Sequence, residues 1–111
     1  MGKRAMQETS FLILTALAGG SQHGYGIIAD VKQISGGRVA LRAGSRYTAL
    51  DRLRADDLIA VDREEIVDNR LRRYYRLTPT GGGRLADEAA RLQANARVAL
   101  TRLRPAGGLA A

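Results

Sequence analysis

The stretch that most constrains the fold is residues 69–81, Asn-Arg-Leu-Arg-Arg-Tyr-Tyr-Arg-Leu-Thr-Pro-Thr-Gly. Arg72 to Leu77 alternates with period two, Arg73, Tyr75 and Leu77 on one face and Arg72, Tyr74 and Arg76 on the other, so it reads as a strand. Thr78-Pro79 then opens a helix. The threonine oxygen can accept from a free N–H of the first turn, and proline fits there because its missing N–H would have no intrahelical partner anyway. Leu58 to Ile66 forms an earlier strand, and Val67 to Leu71 holds the turn between the two. The result is a hairpin with a basic tip, followed without a linker by a helix.

Upstream lie signals for three helices. Residues 1–7 read as a frayed basic lead-in, and Thr9 or Ser10 caps a first helix through Phe11, Leu12, Leu14, Leu17 and Ala18, stopped by Gly19-Gly20. Ser21-Gln22-His23 leads into a second helix from Gly24 to Ile34, with Tyr25, Ile28, Val31 and Ile34 as its apolar stripe and Ser35-Gly36-Gly37 as its end. After a short extended segment, residues 38–41, a capped third helix covers about 44–56. At 100° per residue it turns Arg46, Leu50 and Leu53 inward and Ser45, Thr48, Arg52 and Ala55 outward.

The order is three helices, a hairpin and a long helix from Pro79 to Leu103, with no internal repeat. This predicts a mainly α (α+β) fold: a winged helix-turn-helix with a two-stranded wing over residues 1–78, then a C-terminal dimerisation helix and tail over 79–111, in one compact unit. On the last helix Leu85, Ala89, Leu92, Ala96, Ala99 and Leu103 follow a 4-3-4-3-4 spacing, a heptad seam whose small residues let two helices approach closely. Its partner is a second copy or the chain's own first helix.

Length and composition remove other classes. A chain of 111 residues with 45% hydrophobic residues supports one modest core. No apolar run approaches the roughly 18 residues of a membrane span, and Phe11-Leu12-Ile13-Leu14 lacks a cleavage site after it, so a cytoplasmic protein is expected. No cysteine is present, which excludes disulfides and thiolate chemistry. The single histidine, His23, cannot build a histidine metal site or a triad; it reads as a surface residue at a helix start. Asp56-Asp57 and Glu64-Glu65 are neighbours in sequence and cannot converge as a catalytic pair, and Gly81-Gly82-Gly83 lacks the spacing of a phosphate-binding loop. No enzyme, no metal and no cofactor is expected. A formal charge of +7, carried on arginines apart from Lys3 and Lys32, calls for a polyanionic partner.

Three segments together resemble the PadR family of bacterial transcriptional regulators: His23-Gly24-Tyr25-Gly26-Ile27, the run from Gly44 to Leu53, and the run from Arg72 to Gly81. The resemblance covers residues 9 to 103. It implies a homodimeric winged-helix repressor, of the short kind with one C-terminal helix, in which that helix drives dimerisation. Two residues depart from the family pattern. Arg46 stands where the family has an apolar residue, and Asp57 stands where it has the glycine after the recognition helix, a position that favours positive φ.

On this reading the DNA-binding residues are Tyr25, Arg42, Ser45, Arg46, Tyr47, Thr48 and Arg52, with Asn69, Arg70 and Arg72 at the wing tip. The expected partner is double-stranded DNA with an inverted-repeat operator, with release by a small molecule or a stress signal. The resemblance allows an effector pocket between the dimer's helices. Phe11, Tyr25 and the first-helix leucines either line such a pocket or fill the core. The alternatives are a non-specific architectural DNA binder and a protein–protein adaptor on the same fold.

Overall fold

Residues of positive φ mark the turns between elements: Gly20, Gly36-Gly37, Asp57 and Asp68-Asn69. The computed structural model describes residues 5–104; the first part of the basic lead-in and the tail beyond 104 lie outside that range. The elements are α1 (Glu8–Ala18), β1 (Gln22–His23), α2 (Gly24–Ile34), α3 (Ala43–Ala55), β2 (Ile59–Val67), β3 (Arg70–Leu77) and α4 (Pro79–Leu103).

Of the expected caps only that of Thr78 is present, and α2 gains one at His23 that the sequence did not signal. Thr78 Oγ1 accepts from Gly81 N at 2.9 Å to start α4, and His23 Nδ1 accepts from Gly26 N at 3.3 Å to start α2. The caps expected at Thr9 or Ser10 and at the head of α3 are absent: α1 begins after Gln7 and α3 after Arg42, neither with a side-chain cap. In α1 the first-turn Glu8 complements the helix dipole instead, and it is also paired with Arg38.

The core gathers Ile13, Leu14 and Leu17 of α1, Ile27 and Val31 of α2, Leu50 and Leu53 of α3, Leu58, Ile59, and Tyr75 of β3. The first-helix leucines enter the core and half-buried Phe11 packs against it. The stripe expected on α2 is corrected. Ile27 and Val31 are fully buried, whereas Tyr25 and Ile34 are exposed. Steps of three residues drift about 60° each around a helix, so Tyr25 and Ile34 cannot share a face; the i, i+4 pair does.

The two-stranded wing, β2 with β3, is present as expected, and the short β1 adds to its edge in an antiparallel sheet ordered β1-β3-β2. Gln22 pairs with Tyr75 and His23 with Tyr74, which ties the head of α2 to the wing. β2 and β3 meet at Asp68-Asn69, with φ of 53° and 62°, a two-residue turn shorter than the expected Val67–Leu71 loop. Positive φ at both central residues is what a type I′ hairpin requires.

Asp57 ends α3 at φ 61°, the left-handed conformation expected at that position. Leu58 N donates to Leu53 O at 2.9 Å and Asp57 N to Arg54 O at 2.9 Å, a Schellman closure whose flanking leucines both enter the core. Thr78 Oγ1 also donates to Asp57 O at 2.6 Å, so one hydroxyl joins the end of α3 to the start of α4. From Ala89 onward α4 is exposed, and the protein measures 64 × 33 × 22 Å.

Candidate nucleic-acid interface

α3 forms a ridge between two hollows. One, about 630 Å³, opens between the head of α2, α3 and the underside of the wing; His23, Tyr25, Arg46, Tyr47, Arg70 and Arg72 are among its lining residues. The other, about 780 Å³, lies on the opposite flank against the start of α1, and Arg42, Ser45, Thr48 and Arg52 line it with Thr9 and Ser10. The ten residues read from the sequence thus divide into two groups on either side of one helix, with Asn69 apart at the wing turn.

The outward face of α3 is as the periodicity predicted: Ser45, Thr48, Arg52 and Ala55 are all exposed, as is Arg42 just before the helix, and Tyr47 is 56% exposed. The ion pairs formed among the described residues engage Arg38, Arg63, Arg73, Arg76 and Arg91, and none engages Arg42, Arg52, Arg70 or Arg72. Those four guanidinium groups keep their donors for an outside acceptor, and phosphate is the acceptor a fork of this kind matches.

Arg46 is the departure. It faces inward as its helical position predicted, but it is only 4% exposed, so it is no part of the surface that could read bases. Its guanidinium carbon lies 4.8 Å from the centre of the Tyr25 ring and 4.2 Å from that of Tyr47. Nε and Nη1 are buried with no hydrogen-bond partner. The methylene stem explains why an arginine is tolerated where the pattern calls for an apolar residue: its carbons lie on the core edge while the cation is covered by aromatic faces.

Sequence reading missed the part played by His23, Gly24 and Arg73 in this cleft. His23 meets Tyr74 edge-on, with ring centres 5.4 Å apart. Burial, and then the charge of Arg72, hold its pKa below the usual 6.5. Arg73 shares a strand face with Tyr75, which could have placed it, and it is tied to Glu64 at 2.8 Å. Nothing in sequence periodicity signals His23, because its place depends on the pairing of β1 with β3.

Residues 13–87 match the transcriptional regulator PadR-like family. The chain belongs to that family. Among curated relatives, a 37.1 kDa protein of a Streptomyces fradiae transposon is 40% identical over 82 residues, covering 74% of this chain and 22% of that protein. A transcriptional regulator of Mycobacterium tuberculosis is 42% identical over 57 residues, covering 51% of this chain and 52% of that protein. The chain therefore spans about a fifth and about half of the length of these relatives. Among solved structures, a PadR family transcription regulator of Clostridium difficile superimposes with a TM-score of 0.71 at 25% identity, covering 87% of this chain and 99% of that one. PadR of Bacillus subtilis in complex with operator DNA gives 0.65 at 26% identity, covering 73% of this chain and 46% of that one. Winged-helix architecture and the PadR assignment thus agree with the sequence reading. Among the described residues no helix is long and apolar enough to cross a membrane, and no cluster of His, Asp or Glu could hold a metal ion.

Proposed function

We propose that this PadR-family protein is a sequence-specific, homodimeric DNA-binding repressor of the cytoplasm, released from its operator by a small molecule or stress signal. The observation that carries the reading is the α3 ridge, where Arg42, Ser45, Thr48 and Arg52 stand exposed beside a wing with unpaired Arg70 and Arg72. Thr48 and Arg52 read base edges in the major groove, Arg42, Ser45 and Tyr47 hold flanking phosphates, and Asn69, Arg70 and Arg72 follow the backbone or minor groove. That the Bacillus subtilis relative was solved on operator DNA supports the partner class.

The seam on α4 supports a second copy. Leu85 packs on the core, but Ala89, Leu92, Ala96, Ala99 and Leu103 are all exposed, with Leu92 at 40% and Leu103 at 78%. A helix that leaves its apolar residues uncovered needs a partner for them. Residues 1–78 are thus the DNA-binding unit and α4 the dimerisation element.

Selection of bound duplexes from a random library tests the reading. A recurrent inverted repeat, bound at least tenfold more tightly than a scrambled duplex at the same salt, is the expected result. Equal affinity for both would favour an architectural binder, and little binding at moderate salt would favour an adaptor.

A further inference from the structure

We propose that the cleft under Tyr25 and Tyr47 is a phosphodiester seat, and that Arg46 is the cation at its base, gripping one backbone phosphate of each DNA half-site. The inference deepens the DNA-binding reading and rests on it. A buried guanidinium with Nε and Nη1 unpaired is costly, because donors removed from water need acceptors. The two tyrosine faces offset part of that cost electrostatically but accept none of the N–H groups in their plane. An oxyanion would supply the acceptors that these donors lack.

The surroundings specify it further. Arg46 lies against the first turn of α2: a Cβ on Gly24 would stand 3.1 Å from its Cδ and Nε, so the glycine gives the cation room to lie close to the positive end of that helix. Arg70 and Arg72 add charge from the wing, Arg73 is already paired with Glu64, and Asp68 is the one acidic residue of the lining. Positive charge collected against a helix N-terminus is the environment for phosphate. The cleft opens beside the exposed ridge of α3 and under the wing, so an anion seated there is continuous with the face that meets DNA. That continuity favours the DNA backbone over a free phosphate. Tyr25, 67% exposed, and Tyr47, 56% exposed, are free to part and turn their hydroxyls to the same phosphate.

A methylphosphonate scan of a selected operator, in which each phosphate in turn is made neutral, tests this with the full chain. The unmodified protein should lose about tenfold in affinity at one phosphate per half-site, and Arg46→Met should be indifferent to that same position. Arg46→Met should also lower the slope of log affinity against log salt by about one, with base preference unchanged. If Arg46→Met does not fold, Tyr25→Phe with Tyr47→Phe keeps both rings over the cation, removes only the hydroxyls, and should blunt the loss at that position. The same sensitive phosphate in both proteins would overturn the seat and leave Arg46 a packing residue. Inorganic phosphate that raises the melting temperature of the unmodified protein but not of Arg46→Met, beside identical scans, would overturn the DNA source in favour of a small oxyanion. Failure of the unmodified protein to bind any duplex would overturn the DNA reading itself.

Discussion

A Cβ placed on Gly81 would stand 1.9 Å from the carbonyl oxygen of Leu58 and 2.8 Å from its carbon. This contact is where the end of α3, the start of β2 and the first turn of α4 meet, with Thr78 bonded to Asp57 and Leu58 on the same side. The three consecutive glycines of α4 are consequently not equivalent. Only the first is fixed by a close backbone approach, for a Cβ on Gly83 meets nothing within 4 Å.

Gly81→Ala should therefore destabilise the protein by about 3 kcal/mol, since the obstacle is backbone and cannot rotate aside. Gly83→Ala should stabilise it by roughly 0.5–1 kcal/mol through helix propensity alone. Urea unfolding of both variants checks the pair. Similar effects at the two sites would show that the α3–α4 junction is looser than described.

His23 gives the fold a pH-dependent component. Its folded pKa is lowered, first by burial and then by the charge of Arg72, so the unfolded chain takes up the proton first as pH falls. The stability this confers is complete above the unfolded value of 6.5 and is lost as pH falls through the lower, folded pKa. Protonation also removes the Nδ1 acceptor that caps Gly26 N. The melting temperature should decline as pH falls below the unfolded value of 6.5, and His23→Asn, which keeps a capping acceptor, should flatten the decline. Glu8, Glu65 and Glu88, held below the usual 4.5 by Arg38, Arg63 and Arg91, act only at more acidic pH. A His23 proton resonance titrating at or above 6.5 in the folded protein would contradict the assignment.

Much of this was legible because it is written locally. The bounds of α2 and α4 and the outward face of α3 follow from glycine, proline, threonine and helical spacing, while the positive φ at Asp57 was expected from the family resemblance. Features that depend on distant partners were not legible. β1 is two residues long and exists only because β3 offers a free edge. Period three on α2 suggested Tyr25 and Ile34 as core, while the neighbours of the helix selected Ile27 and Val31. The inward position of Arg46 could be read, but not its cover of Tyr25 and Tyr47, which arrive from two helices.

If α4 pairs with a second copy, charge in its seam should separate the two. Leu92→Glu with Ala96→Glu should give monomers in sedimentation at tens of micromolar, with helical content retained because both sites are exposed. A monomeric unmodified protein at that concentration would dismiss the seam.

Arg52 and Arg70 should fail in different ways. If Arg52 reads a base from α3, Arg52→Ala should cost about 1–3 kcal/mol on the selected operator while relaxing preference at one position. If Arg70 holds a phosphate at the wing, Arg70→Ala should weaken all duplexes alike, with a shallower salt dependence. Equal losses for Arg52→Ala on operator and random duplex would place it among the phosphate contacts.

The spacing of the operator follows from symmetry. A twofold dimer presents two copies of α3 related by rotation, so its site reads as an inverted repeat. Two such helices entering successive major grooves on one face of DNA lie about 34–36 Å apart, which sets half-site centres about 10 base pairs apart. Each wing then overlies a flanking minor groove, where A·T-rich steps narrow the groove and draw in Arg70. Inserting about five base pairs between half-sites turns the second by half a helical turn, away from the second copy of α3. Affinity should then fall to that of a single half-site, and a full-turn insertion should fail as well if α4 holds the copies rigidly. Footprints that persist unchanged through the half-turn insertion would exclude rigid dimeric reading and revive the architectural alternative.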